Sequence, residues 1–404
     1  MSTGLLYHAF GLRGYEYART EYRDGQVIFT VRQELKTCRC SSCGAREVRP
    51  RGRVERRFRS LPIGRRATVV VLPIPRVECR ACGAVRQVEV PFADPRRSYT
   101  RAFERYALEL SRRMTILDVA RHLDVSWDTI KEIQKRDLSR RYAKPRLKHL
   151  RRLAIDEIAV GKGHRYLTVV LDLDSGAVVF VGDGKGAGAL RPFWKRLRCS
   201  GARIEAVAMD MSPAYREAVS AHLPTATIVF DHFHVIKLYN EKLSDLRRDL
   251  QREATDALQK RVLKGTRWLL LKAPENLDER RRERARLEEA LRLNRTLAVA
   301  YYLKEYLREF WAQPGKRLAT AFLNDWIRLA TASGVRMLQE MARTLAAHRS
   351  GLLAYYEHRI STGPLEGTNN KIKVMKRQAY GFRDQEFFKL KILAIHETKY
   401  ALVG

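Results

Sequence analysis

Two short cysteine motifs near the N-terminus constrain the fold of this chain more than any other feature. They are Cys40-Ser-Ser-Cys43-Gly and Cys79-Arg-Ala-Cys82-Gly, with 35 residues between Cys43 and Cys79. Each motif turns the chain so that two thiolates face one point, and two such pairs complete a tetrahedral zinc site with no open position. We therefore predict one structural Zn²⁺ bound by Cys40, Cys43, Cys79 and Cys82. The alternatives are a redox or vestigial pair and the use of Cys38 in place of Cys40.

The segment between the two motifs is rich in arginine. Nine arginines and two glutamates lie from Arg46 to Arg66, in a stretch that we expect to be turn-rich. Guanidinium groups bind phosphates through paired hydrogen bonds, which suits this cluster to contact DNA. A β-branched run from Thr68 to Val77 predicts a strand that leads to the second motif. Residues 1–95 are thus predicted to form a zinc-ribbon DNA-binding domain, with DNA contacts at Arg51, Arg53, Arg56 and Arg57.

The charge of the chain indicates a polyanionic partner. It has 78 Lys and Arg against 45 Asp and Glu, a formal net charge of +33. Double-stranded DNA is the default partner for such a folded chain, and the alternative is a merely solubilising surface. No segment has the pattern of a signal peptide or the roughly 20 apolar residues of a bilayer helix. We therefore expect a cytoplasmic protein with no membrane partner.

Three helical segments follow the predicted ribbon. The last two are separated by a short turn at Asp124-Val125-Ser126, which predicts a helix-turn-helix whose second helix reads DNA. A plain three-helix bundle is the alternative. Residues 96–150 are predicted to comprise this motif and a basic linker from Arg136 onward. The predicted helices are Thr100–Arg113, Ile116–Leu123 and Trp127–Lys135, and the predicted DNA contacts are Ser126, Trp127 and Lys131.

The pattern changes after residue 150 to alternating strands and helices. Three strands in a meander precede a helix, a strand, a second helix and a last strand, and this βββαβαβ order is that of a ribonuclease-H-like fold. In that fold the first strand carries a carboxylate at its middle and the fourth carries one near its end. Those positions are Asp156 and Asp210. The predicted elements are Leu153–Val160, Tyr166–Asp172, Ala177–Val181, Ala189–Arg198, Ile204–Asp210, Pro213–His222 and Thr227–Asp231.

A long helical stretch separates these strands from a third acid, Glu366. The simplest architecture is an all-α insertion, residues 236–356, that splits the catalytic domain into residues 151–235 and a closing helix in residues 357–404. The closing helix would then return Glu366 to the two aspartates. Tryptophans of the insertion could stack on bases, but core positions are favoured for Trp268, Trp311 and Trp326.

The three carboxylates predict a magnesium site for phosphoryl transfer. Two ions about 3.5–4 Å apart stabilise the attacking and leaving oxygens of an in-line displacement, and carboxylates flank and bridge them. We expect two Mg²⁺ (or Mn²⁺) ions bound by Asp156, Asp210 and Glu366. Glu157 should face the opposite side of its strand. Beyond Glu366, Lys371 and Lys373 are expected to contact the strand being cut, and Asn369 and Asn370 to be DNA or cap contacts.

These motifs resemble those of the ISL-three family of bacterial insertion-sequence transposases, from the zinc ribbon to the C-terminus. The resemblance implies a DDE transposase with an insertion before its glutamate, and Asp156, Asp210 and Glu366 map onto the acid triad. It also implies that the protein acts at the bacterial nucleoid. Asp231 and His234 resemble an Asp-x-x-His motif of related transposases, and we expect them to be accessory residues or, alternatively, a helix cap and a core histidine. The most specific segments are Ile155-Asp156-Glu157, the run from Met209 to Tyr215, Asp231-His-Phe-His234, the run from Thr362 to Lys373, and Gly381-Phe382-Arg383.

The predicted fold is therefore multidomain α+β, with a zinc ribbon, a helix-turn-helix and a ribonuclease-H-like α/β catalytic domain split by an all-α insertion. The predicted function is metal-dependent cleavage and transfer of DNA strands at terminal inverted repeats. Two element ends must be joined, so we expect a dimer or a higher synaptic complex. A zinc-ribbon transcription regulator would leave the acid triad without a role, and a ribonuclease-H-like nuclease or resolvase would cut without joining.

Overall fold

The computed structural model describes residues 4–161 and 163–396, which form two compact units. The first unit contains the described residues up to Ala143 together with those from Val374 onward, and the second contains Lys144–Lys373. The units are defined by packing alone, and the domain limits given above stay predictions.

The first unit contains a five-stranded sheet, which follows a short helix. Its strands lie in the order β1-β2-β4-β3, and β5 pairs with β4. The β-branched run from Thr68 to Val77 is a strand, as predicted. The arginine-rich segment was expected to be turn-rich, and this is wrong: it forms a 16-residue strand paired antiparallel with β4. The elements are α1 (Leu5–Phe10), β1 (Glu16–Arg23), β2 (Gln26–Arg32), β3 (Val48–Ile63), β4 (Arg66–Cys79) and β5 (Val85–Gln87).

Three helices follow, as predicted: α2 (Arg101–Leu110), α3 (Ile116–Leu123) and α4 (Trp127–Tyr142). Each begins at a hydroxyl residue whose side chain accepts a hydrogen bond from a backbone amide in the first turn, namely Thr100, Thr115 and Ser126. Such caps satisfy amide groups that have no partner within the helix. Helix α4 ends seven residues later than predicted, so that the first part of the expected basic linker is helical.

The second unit contains a five-stranded sheet in the order β10-β9-β6-β7-β8. Strands β6, β7 and β8 form an antiparallel meander, while β9 lies parallel to β6 and β10 parallel to β9. The first strand of the sheet is thus central, as expected of a ribonuclease-H-like fold. The elements are β6 (Arg152–Gly161), β7 (Arg165–Asp172), β8 (Val178–Asp183), α5 (Arg191–Arg198), β9 (Ala206–Met209), α6 (Pro213–His222) and β10 (Thr227–Phe230).

Eight helices separate β10 from the closing helix. They share one hydrophobic core with the sheet: Ile155 of β6, Leu243 and Trp326 all belong to it. Trp326 is buried and Trp311 packs against the core, but Trp268 is exposed, so its predicted core position is wrong. The helices are α7 (His232–Glu253), α8 (Ala257–Gly265), α9 (Arg267–Leu271), α10 (Glu283–Leu293), α11 (Arg295–Arg308), α12 (Lys316–Ala332), α13 (Arg336–Ala347) and α14 (Arg349–Leu353).

Two helices complete the described chain, α15 (Gly363–Gln378) and α16 (Gln385–Leu393). Helix α16 belongs to the first unit, where Phe387, Leu390 and Ala394 lie in one core with side chains of α2, α3 and α4. None of the helices in the described ranges combines the length and apolar character needed to cross a membrane.

Candidate active site and metal centre

The four predicted cysteines come together at one point of the first unit. The sulfur atoms of Cys40 and Cys82 are 3.7 Å apart and those of Cys43 and Cys79 are 3.5 Å apart. All four lie within 4.8 Å of one another. A tetrahedral zinc site with Zn–S bonds of about 2.3 Å has sulfur–sulfur edges of about 3.8 Å, so that this set fits Zn²⁺ closely. Because all four ligands come from the protein, the metal would be structural.

The backbone around the cysteines supports this geometry. Gly44 and Gly83 follow the two motifs with positive φ, and their amides donate to the carbonyl oxygens of Cys40 and Cys79. Hydrogen bonds from the amides of Cys43 and Ser42 lower the pKa of the Cys40 thiol to about 6. A hydrogen bond from the Ala45 amide favours the thiolate of Cys43, but the Cys82 and Cys79 sulfurs outweigh it and raise the pKa of that thiol to about 12, so that Cys40 ionises first. A thiolate at neutral pH is the form that binds zinc.

Cys38 is not part of this cluster. Its side chain is buried, its sulfur donates to the carbonyl oxygen of Glu34, and burial raises the pKa of the thiol. Cys40, rather than Cys38, therefore supplies the fourth sulfur.

In the second unit, the register of the parallel strands brings the two predicted aspartates side by side. Ala154 of β6 pairs with Ala208 of β9. Asp156 and Asp210 each lie two residues further along the same direction, so that both side chains are on the same face of the sheet. The Asp210 carboxylate accepts a hydrogen bond of 3.0 Å from the Ser212 amide, which orients it at the end of its strand.

Helix α15 is joined to the strand of Asp156 by Asn369. The Asn369 Nδ2 donates to Asp156 Oδ2 at 2.8 Å, and the side chain is only 5% exposed. Glu366 lies one turn earlier on the same face of the helix and is partly buried. Asn369, which was expected to contact DNA or to act as a cap, thus bonds to Asp156 in this structure, and a DNA contact of this residue stays a prediction. The sequence signal for this contact was the position of Asn369 three residues after Glu366, which places both side chains on one face of the helix.

Asp231 fixes the entry to that helix. It is 2% exposed, and its Oδ1 accepts a hydrogen bond of 3.1 Å from the amide of Thr362, 131 residues away. Its Oδ2 accepts from the amide of Phe233 at the start of α7, so that it is also the helix cap considered as the alternative. Thr362 in turn accepts the amide hydrogen of Glu366 through its carbonyl oxygen.

Several neighbouring groups affect the pKa of Asp156. Burial raises the pKa of Asp156, and the charges of Asp210 and Glu157 act in the same direction. A hydrogen bond from the Glu157 amide, 2.8 Å long, and the charge of His234 oppose the increase. His234 therefore lies near Asp156, as expected of an accessory residue. It is only partly buried, so that it is not the core histidine considered as the alternative.

Glu157 lies on the other face of β6, as predicted. Burial raises the pKa of the Tyr215 hydroxyl to about 12, and interactions with Glu157 contribute to the increase. That hydroxyl also bonds with Thr168, 3.0 Å away. Glu157 therefore interacts with the layer formed by α6 rather than with α15.

The carboxylate oxygens of Asp156, Asp210 and Glu366 do not all lie within 4.8 Å of one another, as the ligands of a single ion would. Within the described ranges, the cysteine set is the only group of three or more metal-ligating residues whose ligand atoms all lie within 4.8 Å of one another. A two-ion centre, with ions about 3.5–4 Å apart, spreads its ligands more widely than one ion does. The donor set of hard carboxylate oxygens at a partly buried sheet edge fits Mg²⁺.

The residues predicted to contact DNA differ in their exposure and in the contacts that they make within the protein. Arg53 and Arg57 are exposed on β3, whereas Arg51 pairs with Glu78 and Arg56 donates to the carbonyl oxygen of Arg97. At α4, Ser126 caps the helix and Trp127 is 44% exposed. Lys131 forms an ion pair of 3.1 Å with Asp384. Lys371 and Lys373 are exposed on α15.

Three family models match the chain. Residues 153–392 match a transposase model of the ISL3 type, residues 88–137 match the helix-turn-helix domain of transposase family ISL3, and residues 36–82 match the zinc-finger of transposases IS204/IS1001/IS1096/IS1165. Together they confirm the predicted ribbon, helix-turn-helix and catalytic domain, in the predicted order.

Full-length relatives are also similar to this chain. The transposase for insertion sequence element IS1001 of Bordetella parapertussis is 35% identical over 95% of this chain and 96% of the relative. The transposase for element IS1557 of Mycobacterium tuberculosis is 31% identical over 96% of this chain and 93% of the relative. The solved Drosophila P element transposase strand transfer complex matches at 12% identity and a TM-score of 0.37, covering 66% of this chain and 81% of that one.

Proposed function

Since this chain belongs to the ISL3 family of transposases, we propose that it cleaves and joins DNA strands at the terminal inverted repeats of an insertion sequence, with Asp156, Asp210 and Glu366 as the catalytic acids. One observation supports the site more than any other. The hydrogen bond from Asn369 to Asp156 joins the first turns of α15, which carry Glu366, to the strand of Asp156.

Two Mg²⁺ (or Mn²⁺) ions would be held by these three carboxylates. Such ions supply charge stabilisation for the attacking and leaving oxygens during phosphoryl transfer. The protein prepares the site by fixing its own groups. The Glu157 amide and Asn369 each hold one oxygen of Asp156, the Ser212 amide holds Asp210, and Asp231 fixes the segment that leads to Glu366.

Basic side chains of α15 would contact the strand being cut. Lys371 and Lys373 lie one to two turns after Glu366 and are exposed. Lysine ammonium groups neutralise phosphates without fixing the sequence. His234, whose charge acts on Asp156, is proposed as an accessory residue of this site.

Recognition of the element ends is assigned to the first unit. The exposed start of α4, with Ser126 and Trp127, would serve as the recognition helix. Exposed arginines of β3, chiefly Arg53 and Arg57, would add phosphate contacts, and zinc would hold the ribbon that presents them. Because two ends are processed together, we propose that the protein acts as a dimer or a higher synaptic complex.

The test replaces each acid by its amide, as Asp156→Asn, Asp210→Asn and Glu366→Gln, in the full-length protein. Duplexes that carry the repeat flanking the reading frame are incubated with Mg²⁺, and nicking and joining are followed on gels. We expect each variant to lose both reactions while it binds the same duplex with unchanged affinity. Glu217→Gln is the matched control, because Glu217 is an exposed acid on α6 with no assigned role. Normal cutting by Glu366→Gln would refute the triad.

Precut ends separate a transposase from a nuclease or resolvase. A duplex with a free 3′-hydroxyl is supplied with plasmid DNA, and joined products are sought. Hydrolysis without joining would favour a nuclease. Binding without any metal-dependent cleavage would favour a transcription regulator.

A further inference from the structure

The C-terminal segment after α15 is built into the helix-turn-helix core. Phe387 and Leu390 of α16 share a hydrophobic cluster with Ile116 of α3 and Ile130 and Ile133 of α4. This segment is thus a fixed neighbour of the proposed recognition helix.

Charged groups fix the same contact. Asp384, which caps α16, pairs with Lys131 and Lys135 of α4 at 3.1 Å each, and Glu386 pairs with Lys135 at 2.6 Å. Two acids close to a basic recognition helix would oppose DNA binding if they were unpaired. Their pairing with lysines removes most of that repulsion and places Asp384 at a defined position beside α4.

The loop between α15 and α16 lines a cavity of about 800 Å³ together with the start of α4. Tyr380 is fully exposed, at 101%, and Arg383 is exposed beside it. Tyr380 and Gly381 both have positive φ, 50° and 99°, so that a tight turn directs the tyrosine away from the core. On the facing side of the cavity, Trp127 and Lys131 belong to α4.

The sequence of this segment carries only positive charge until Asp384. Lys376, Arg377 and Arg383 lie in residues 374–383, which contain no acid. A polyanion is the partner that complements such a segment, and an exposed tyrosine hydroxyl and a guanidinium are both common donors to phosphate oxygens.

We propose that the loop of residues 379–383 is a further DNA-contacting element, which binds the sugar-phosphate backbone next to the groove entered by α4. The proposal rests on the proposed function, because it requires the first unit to bind the element end. Tyr380 and Arg383 donate to phosphates, while Asp384 holds the loop in register with Lys131. The contact increases affinity for duplex DNA of any sequence rather than selecting the repeat.

Binding of full-length protein to two duplexes tests this inference. One duplex carries the repeat that flanks the reading frame and the other is its scrambled equivalent of the same length, and affinity is measured by fluorescence anisotropy at several salt concentrations. Arg383→Ala should weaken binding to both duplexes about tenfold and reduce the salt slope by about 0.9, the value expected for one lost phosphate contact. Tyr380→Ala should weaken binding to both without changing the slope, since tyrosine carries no charge.

Controls separate the possible failures. Tyr302→Ala and Arg317→Ala remove an exposed tyrosine and an exposed arginine from the helical insertion and should bind as the wild type does. Thermal melting should be unchanged in all four variants, because each side chain is exposed. If the wild type binds the repeat and the loop variants bind equally well with the same slope, the inference is wrong and the proposed function stands. If the wild type does not bind the repeat, the proposed function fails instead.

Discussion

Asn369 connects the strand of Asp156 to the helix of Glu366 through a single side-chain hydrogen bond. Its Nδ2 donates to the aspartate at 2.8 Å, while its Oδ1 is buried without a hydrogen-bond partner among the described residues. Replacing a residue that orients a metal-binding carboxylate typically reduces metal affinity or activity by about 10–100-fold. We expect an effect of this order of magnitude when the Asn369 amide is removed. Asn369 is therefore a positioning residue whose loss should be visible in metal binding itself.

We expect Asn369→Ala to reduce cleavage by about 10–100-fold and to raise the Mg²⁺ concentration needed for half-maximal rate. Calorimetric titration with Mn²⁺, in the absence of DNA, should show weaker binding, a readout that does not depend on turnover. Asn370→Ala is the matched control, because that neighbouring side chain is exposed. Equal Mn²⁺ affinity in the two variants would contradict the assigned role.

Lys391 is a second residue whose environment makes a measurable prediction. It is fully buried in α16, and burial lowers the pKa of its amine from 10.5 to about 8. Below pH 8 the amine is charged in both the folded and the unfolded chain. Burying this charge lowers the free energy of unfolding by about 3 kcal/mol. Between pH 8 and 10.5 only the unfolded chain keeps the proton, so that stability increases with pH in this window.

Lys391→Met should thus stabilise the first unit at pH 7 by about 1–3 kcal/mol, since a buried charge is replaced by an apolar side chain of similar length. The advantage should vanish as the pH rises from 8 to above 10.5. Hydrogen exchange of peptides from α16, measured at several pH values, would detect it locally. Lys389→Met, two residues away and less buried, serves as the control. An advantage that did not depend on pH would contradict this account.

At the scale of elements, α14 approaches β10 more closely than any side chain would allow. A methyl group on Gly351 would overlap the ring of Phe230, which is buried at the end of β10. Phe230 directly precedes Asp231, so that this contact also supports the residue that fixes the entry to α15. Only glycine fits this position without moving the strand.

Gly351→Ala should destabilise the second unit by about 1–3 kcal/mol, the usual cost of overpacking a rigid site. Urea unfolding followed by tryptophan fluorescence would measure the loss, because four of the five tryptophans lie in the second unit. Gly188→Ala provides the comparison, since a methyl group there meets nothing within 4 Å. Equal free energies of unfolding for the two variants would contradict this account, because they would show that the strand moves aside without loss of stability.

The elements that sequence periodicity predicted well are those whose pattern is local. The strands and helices from Leu153 to Asp231 were predicted to within a few residues because alternation of apolar side chains and capping residues are encoded in neighbouring positions. Strand β3 was misjudged because its side chains are largely exposed and basic, so that no apolar alternation marks its first half. Pairing with β4, rather than its own composition, makes it a strand.

At the scale of the whole molecule, the contacts that build the sites join residues that no local pattern relates. Asn369 and Asp156 are 213 positions apart, and Lys135 and Asp384 are 249 apart. The acid triad could be proposed because strand order implies where a carboxylate lies. The partner of each acid, and the packing of α16 with α3 and α4, depend on tertiary structure alone.

The division into two units makes a prediction about zinc. Removing the metal with a chelator, or replacing Cys79 by serine, should loosen β3 and β4 and leave the second unit folded, since the cysteine ligands lie only in the first. Elemental analysis should find one zinc per chain before treatment. Hydrogen exchange should then increase in the ribbon and stay unchanged in β6 and β7. A simultaneous increase in both sheets would contradict independent folding.

The hydrogen bond between Asp231 and Thr362 has a consequence for how this architecture can vary. The chain leaves the sheet and returns to it at adjacent points, although 131 positions separate the two residues. Closing a longer loop adds little free energy, about 0.6 kcal/mol for each doubling of its length. Insertions and deletions among the intervening helices can therefore accumulate between relatives while the acids keep their places, provided that the shared core is repacked. Alignments of such proteins are best anchored on this junction, not on the spacing between Asp210 and Glu366.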